Sequence, residues 1–267
     1  MGIVYNGTKI KKAVYNGSQL KQIMLNGVKL LSSEPFNEAL ALVGYSNFAT
    51  LDDVLSNTAV CNALAGNAEA YGIMKANYSA EMTSAIDSNF NAGLSLLNYK
   101  CGLKCAIYKN GTFMTGANFV LGQHWGTDQW GGSMRITTGT DSKGTYRLIS
   151  TGTVSDRGAN GWMQTNVQFD LSAYSKITSS IWQEGKSENN VLAFGYGNSL
   201  GVGANQDTWN TYSGTDVSRN LTNSSGKHET ITLNCSSTYS AKTIGYFCST
   251  ATSSVGKIYV YDLWLIP

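Results

Sequence analysis

An Asn-Gly pair recurs three times at a spacing of ten residues near the start of this chain, in Val4-Tyr5-Asn6-Gly7-Thr8-Lys9-Ile10, Val14-Tyr15-Asn16-Gly17-Ser18-Gln19-Leu20 and Met24-Leu25-Asn26-Gly27-Val28-Lys29-Leu30. Asn-Gly favours a two-residue type I′ turn, because both turn positions need positive φ and these residues adopt it at low cost. Residues 3–31 are therefore predicted to form a small β-meander with tight turns. Isolated hairpins are marginal in water. This stretch needs a partner surface, either from the rest of the chain or from neighbouring copies.

The 267 residues suffice for one large β domain or two to three modules. Only 13% are charged, against about 25% in an ordinary soluble protein, and Gly numbers 29 while Pro numbers 2. That balance fits a rigid β structure held by backbone hydrogen bonds and aromatic packing. A net charge of +2 gives no electrostatic case for nucleic acid. Lys9, Lys11, Lys12, Lys21 and Lys29 have no acid among them before residue 32. They read as a phosphate-binding arm or, the favoured reading, as solvated edge charges that discourage strand-to-strand aggregation.

No window is apolar enough for a membrane span, and no leader peptide is visible, so synthesis and folding in the cytoplasm without membrane insertion are expected. Cys61, Cys101, Cys105, Cys235 and Cys248 are odd in number and form no disulfide framework. Cys101 and Cys105 lack a second Cys or His pair at metal-ligand spacing, since His124 and His228 lie far along the chain. Buried free thiols are expected, with no metal and no cofactor; Cys235 and Cys248, on neighbouring strands, could oxidise outside the cell.

Residues 34–100 carry Ala, Leu, Met, Asn and Ser at helical spacing. Thr50-Leu51-Asp52-Asp53 reads as a helix N-cap with acids in the first turn. Units beginning at Asn57, Asn67 and Ser79 echo one another at ten to twelve residues, each opening on a capping residue and ending on a bulky apolar one. Short helices or a broken helical stalk follow. The segment is either an oligomerisation element, the favoured reading, or a small helical subdomain packed on its own β domain.

The lysine-bearing Asn-Gly leader resembles the start of tail-fibre and minor structural proteins of phages and prophages of Gram-positive, gut-type bacteria. Leu51-Asp52-Asp53-Val54-Leu55 and the Ala/Met-rich units from Asn67 to Ile86 are similar to helical runs of such fibres. The resemblance implies a virion protein, commonly a homotrimer, whose partners are other tail or baseplate proteins and a host surface glycan.

From residue 101 onward the chain reads as all-β. Tyr108-Lys109-Asn110-Gly111-Thr112-Phe113 is a further hairpin signal. Strands are predicted at 133–138, 145–150, 166–171, 177–182, 190–196, 229–235, 243–248 and 257–266, the pattern of an antiparallel β-sandwich of jelly-roll type. Phe169 to Ile177, and Ile231 to Ser237 followed by Ile244 to Phe247, resemble elements of sandwich modules at fibre tips and in carbohydrate-binding domains.

All six Trp lie in this half. Sugars present apolar C–H faces and hydroxyl edges, so their sites pair aromatic rings with amide or carboxylate partners. Two predicted loops, 123–130 and 205–212, supply that mixture through Trp125, Asp128, Trp130, Asp207, Trp209 and Tyr212. Packing between loops or subunits is the alternative for these residues. Trp182 and Trp264, within strands, are expected in the core. The acids are scattered, and no nucleophile elbow or zinc-binding His-Glu motif is present. Gly195 to Gly201 is glycine-rich, but no helix-forming segment follows it to supply phosphate-binding amides.

The chain is thus expected to be mainly β with a helical segment: hairpin repeats at 1–33, a helical stalk at 34–100 and a carbohydrate-binding-like sandwich at 101–267. The expected function is multivalent adhesion of a tail fibre to a host glycan. A purely structural tail component is the alternative, and a glycan-degrading tail enzyme is the less favoured one.

Overall fold

The computed structural model describes residues 34–125, 134–152, 159–184, 191–203, 211–221, 226–249 and 255–267 with their side chains, and the backbone alone for residue 250 and six short strands before residue 33. Those six strands are β1 (Ile3–Tyr5), β2 (Thr8–Ile10), β3 (Val14–Tyr15), β4 (Ser18–Gln19), β5 (Gln22–Leu25) and β6 (Val28–Ser32). Tyr5 pairs with Thr8, Tyr15 with Ser18 and Leu25 with Val28, so an Asn-Gly pair stands between the paired ends of each unit. Among the described residues these are three separate antiparallel ribbons, and not the continuous meander that the repeat suggests. Closure across a two-residue turn carries the least loop entropy, which favours pairing within a unit over pairing between units.

The helical region comprises α1 (Pro35–Leu42), α2 (Leu51–Ser56), α3 (Thr58–Ala65), α4 (Ala68–Ser88) and α5 (Ala92–Cys101). The capping box at α2 is present: Asp53 N donates to Thr50 Oγ1 (3.2 Å) and Thr50 N to Asp53 Oδ2 (3.1 Å). Asn57 and Asn67 cap α3 and α4 through their side-chain oxygens. The third echo, at Ser79, falls within α4 immediately after Tyr78, whose φ of −136° breaks the helix there. The helices enclose a shared core that includes Leu40, Val54, Leu64, Met74, Met82 and Leu94. Gly93 lets α5 approach α3 closely, since a Cβ at that position would lie 2.2 Å from Thr58 O.

The β half is a sandwich. Its larger sheet contains β7 (Cys105–Lys109), β8 (Thr112–Phe113), β10 (Met134–Asp141), β11 (Gly144–Thr151), β13 (Lys176–Glu184), β18 (Lys227–Asn234) and β20 (Lys257–Ile266). The order is β10-β11-β20-β13-β18, with β7 joining the far half of β20 and β8 joining β7. The smaller sheet has the order β17-β14-β19-β12-β9, from β9 (Phe119–Trp125), β12 (Ala159–Thr165), β14 (Leu192–Gly197), β17 (Val217–Leu221) and β19 (Thr243–Thr250). A further ribbon, β15 (Gly201–Val202) with β16 (Tyr212–Ser213), lies over it. From β11 to β20 the chain crosses repeatedly between the two sheets, and their named pairings are antiparallel. The molecule is mainly β with short helices, as its composition suggests.

The predicted hairpin at Asn110-Gly111 closes β7 onto β8, with both residues at positive φ (45° and 89°). The strand expected at 166–171 is not one: Phe169 makes a single bridge to Lys242 there. Ile177, Ile181, Ile231 and Ile258 from the larger sheet meet Met163, Phe194 and Tyr246 from the smaller one in the core. Across that core, Ser179 Oγ lies 2.7 Å from Tyr246 Oη and donates to Asp262 O at 2.6 Å, so the buried phenol and hydroxyl satisfy each other. The helical region joins the sandwich through α5 and β7, where Ser95 Oγ donates to Ala106 O (2.6 Å) and Asn98 Nδ2 to Lys104 O (2.9 Å).

Candidate functional site

Alternation along β13 and β20 sends every second side chain away from the sandwich core. On β13, Ile177, Ser179, Ile181 and Gln183 point inward and are buried, while Thr178, Ser180, Trp182 and Glu184 point outward and are half-buried. The register then places His228, Trp182, Tyr259 and Leu148 in one row across four strands of the outer face. Trp182 therefore lies outside the core that its strand position suggested, because it falls on the outward parity of β13. Trp264 packs instead against the core of the helical region. It is half-buried edge-on to Phe90, with the ammonium groups of Lys104 and Lys109 5.0 and 5.1 Å from its ring centre.

The rings of the outer face form a connected series. Trp182 and His228 are 4.7 Å apart between centres, His228 and Tyr261 5.1 Å, Tyr261 and Tyr146 5.7 Å, and Tyr146 and Tyr259 4.9 Å. A β-bulge on β20, between Ile181 and Ser180 of its partner, brings Tyr261 to the same side as Tyr259. Glycines stand against two of the rings: a Cβ at Gly139 would lie 2.4 Å from Tyr146 Oη, and one at Gly226 2.5 Å from Trp182 Cζ2.

Two carboxylates border the series, one at Tyr259 and one at Tyr261. Tyr259 Oη donates to Glu184 Oε1 (2.9 Å), which also receives Lys257 Nζ (2.5 Å), while Tyr261 Oη donates to Asp141 Oδ2 (2.6 Å). Burial pushes Glu184 up, but the hydrogen bonds from Lys257 and Tyr259 outweigh it and hold the carboxyl below its ordinary value. The Tyr261 hydroxyl and the Lys143 amide hold Asp141 down in the same way. Both phenols are pushed up, first by burial and then by the carboxylates they touch. At neutral pH the face thus offers two ionised acceptors, an ammonium and the half-buried rings of Trp182, His228, Tyr146 and Tyr259 over the buried Tyr261, a mixture suited to the hydroxyls and apolar C–H faces of a sugar.

Of the residues singled out from sequence, Trp125 and Tyr212 are described, whereas Asp128, Trp130, Asp207 and Trp209 lie outside the described residues. Trp125 belongs to the end of β9 and not to a loop, since the strand continues through Gln123 and His124 to pair with β12. It stands opposite Asn160, whose Nδ2 donates to Gly203 O (2.9 Å), and Gly203 N donates to Thr211 O (2.9 Å). The stems of both stretches therefore meet at one place on the outer side of the smaller sheet. Tyr212 is engaged in packing: its ring meets buried Trp162 edge-on at 5.6 Å and Phe247 at 5.1 Å, and its hydroxyl donates to Asn220 Oδ1 (2.7 Å). Trp162 Nε1 in turn donates to Gly201 O (2.9 Å), fastening the β15–β16 ribbon to the sheet.

Trp182, His228, Tyr146, Tyr259, Glu184 and Asp141 were not picked out from the sequence. The alternation in Lys257-Ile258-Tyr259-Val260 marks two of the outward positions, but which strands lie beside β20 is a property of the topology.

No protein-family model and no curated protein matches the chain. Among solved structures it is similar to the enzymatically active domain of tailspike protein 4 of bacteriophage CBA120, at 13% identity and a TM-score of 0.34 over 56% of this chain and 19% of that one. A family 11 carbohydrate-binding module from Clostridium thermocellum, in complex with a β-1,3-1,4-mixed-linked tetrasaccharide, matches at 13% identity and 0.34 over 61% and 95%. The glycoside hydrolase domain of Endo-D from Streptococcus pneumoniae matches at 10% identity and 0.34 over 55% and 21%. The chain spans about a fifth of the length of the tailspike domain. At such scores these likenesses carry no weight for its ligand, which is argued from its own residues.

Proposed function

We propose that this chain is a glycan-binding tail-fibre component of a phage or prophage that adheres to a host surface through linked copies. The observation that carries the binding part is the outer-face series His228, Trp182, Tyr259, Tyr261 and Tyr146, bordered by Glu184 and Asp141. The Asn-Gly leader supports the virion part by its resemblance to tail-fibre N-termini. In this reading residues 1–33 attach to other tail proteins, residues 34–100 assemble copies, commonly three, and residues 101–267 meet the glycan. Weak sites on linked copies gain avidity through effective concentration.

Binding is favoured over cleavage because the two carboxylates of the aromatic series are both held low, leaving neither as the proton donor that glycoside hydrolysis needs. The stretches holding Trp125, Asp128, Trp130, Asp207, Trp209 and Tyr212 are proposed as a second contact region, on the strength of their adjoining stems.

The test is a bacterial surface-glycan array followed by calorimetry on the best ligand. Trp182→Ala is expected to weaken binding about tenfold or more, close to 1.4 kcal/mol, with the thermal transition retained. Undiminished binding in that variant removes the aromatic series from the site. Undiminished binding after joint Ala substitution of Trp125, Trp130 and Trp209 removes the second region. Release of reducing sugar from the bound glycan replaces adhesion with hydrolysis.

A further inference from the structure

A cleft of about 350 Å³ opens where the end of α5 meets the segment before β13, on residues the aromatic series does not use. Its wall on the helical side is Lys75, Tyr99, Lys100, Cys101 and Gly102, and on the sandwich side Asp170, Ala173 and Tyr174. That volume is at the lower end of the roughly 300–1,000 Å³ of small-ligand sites.

The walls are built and fixed. Tyr99 stacks parallel to Tyr174 at 6.3 Å and meets Phe169 edge-on at 5.4 Å, while its hydroxyl accepts from Asp170 N (2.8 Å). Gly102 takes the left-handed conformation that ends α5 (φ +66°), and a Cβ there would lie 3.2 Å from Ala173 Cβ and 3.9 Å from Lys75 Nζ. The Lys75 ammonium therefore hangs over the helix end, where the carbonyl dipoles favour a cation.

The charges of the cleft are left unbalanced. Lys104, Lys242 and Lys257 each pair with a carboxylate, on Asp87, Asp216 and Glu184. Neither Lys75 nor Lys100 forms an ion pair among the described residues, and both are exposed. Asp170, the carboxylate among the lining residues, is turned to Ser172, whose amide donates to Oδ1 at 2.9 Å. Cys101 does not supply a nucleophile: its Sγ donates to Tyr71 O (3.5 Å) and it is buried. Two ammonium groups against one carboxylate leave the lining with an excess positive charge, which suits an anion.

We propose that this cleft binds a small sugar carrying a phosphate or a carboxylate, with Lys75 and Lys100 on the anionic group and the tyrosine-lined wall beside the ring. The inference extends the glycan reading to charged glycans, but its residues are separate from the aromatic series. A uronic acid and a sugar phosphate share the chemistry that the two lysines recognise, so both serve as probes.

The experiment is an NMR titration of the isotope-labelled full chain with glucuronate, glucose 6-phosphate, glucose and inorganic phosphate, following the amides of Gly102 and Ala173. One or both charged sugars should move these amides saturably, glucose should not, and the response tells which anion is preferred. Lys75→Gln with Lys100→Gln should weaken the response at least tenfold without lowering the melting temperature, because both side chains are exposed. An equal response to glucose, an equal response to inorganic phosphate alone, persistence in the double variant or no response to either charged sugar overturns the proposal. Trp182→Ala should leave this titration unchanged, so failure of the aromatic series and failure of the cleft are read separately.

Discussion

Cys61 and Cys105 sit in surroundings that suppress thiolate formation: burial pushes both up to about 12, while Cys101 and Cys235 are pushed up to about 11. Tyr174 Oη, 3.6 Å from Cys105 Sγ, offsets only part of that at Cys105. The thiolate is the reactive form, so these groups are poor nucleophiles at neutral pH. Their folded values lie above the unfolded one, so the stability they contribute is complete below about pH 9. It is lost as pH rises toward 11 and 12, where the unfolded chain releases protons that the folded one retains. Urea titrations should show a falling midpoint between pH 8 and pH 10.5. Ellman's reagent at pH 8 should label the native protein far more slowly than the denatured one. A midpoint that does not move, or prompt labelling of all the thiols, would show that these sites open to solvent. Free, mostly buried cysteines were legible from their odd number and spacing; the strength of their protection depends on packing that sequence does not display.

Helix α5 is held against α3 by the absence of one side chain. Replacing Gly by Ala ordinarily favours a helix by about 1 kcal/mol, but at Gly93 the new Cβ would lie 2.2 Å from Thr58 O, a backbone atom that moves only with its helix. Overpacking of this kind costs about 1–3 kcal/mol, so Gly93→Ala should lower the urea midpoint, and an unchanged or raised midpoint would mean that the two helices slide freely. Elements with local signals were legible in just this way. The Thr50–Asp53 capping box, the Asn110-Gly111 turn and the β20 boundaries Lys257–Ile266 each depend on residues close in sequence. The strand Ala159–Thr165 was not, because Asn160 and Gly161 dilute its apolar pattern, and Asn160 is needed there to hold Gly203. The aromatic series was hidden for a related reason. Trp182, His228 and Tyr259 become neighbours only when β13 lies between β18 and β20, a pairing between segments 46 and 77 residues apart that no local pattern encodes.

The helical region and the sandwich each have an extensive core, and the chain opens on short paired strands. The described strands before residue 33 pair only within three ribbons of two to five residues per strand. Ribbons of that size are marginal alone, so they need a partner surface, which the proposed tail-fibre function would supply from neighbouring copies or other tail proteins. If the proposed fibre assembly holds, light scattering on a sizing column should give a mass near three times 28.7 kDa. Assembly has a consequence for adhesion that single-site measurements do not reveal. Linking sites can raise avidity by about 10²–10⁴ with no new contact, so intact cells should retain the full chain at least 100-fold more tightly than calorimetry finds for the isolated oligosaccharide. Trp182→Ala should reduce cell retention by more than it reduces single-site affinity, because the loss is repeated in every linked copy. A monomer that binds cells and free oligosaccharide equally well would remove the multivalent mechanism and leave a single glycan-binding module.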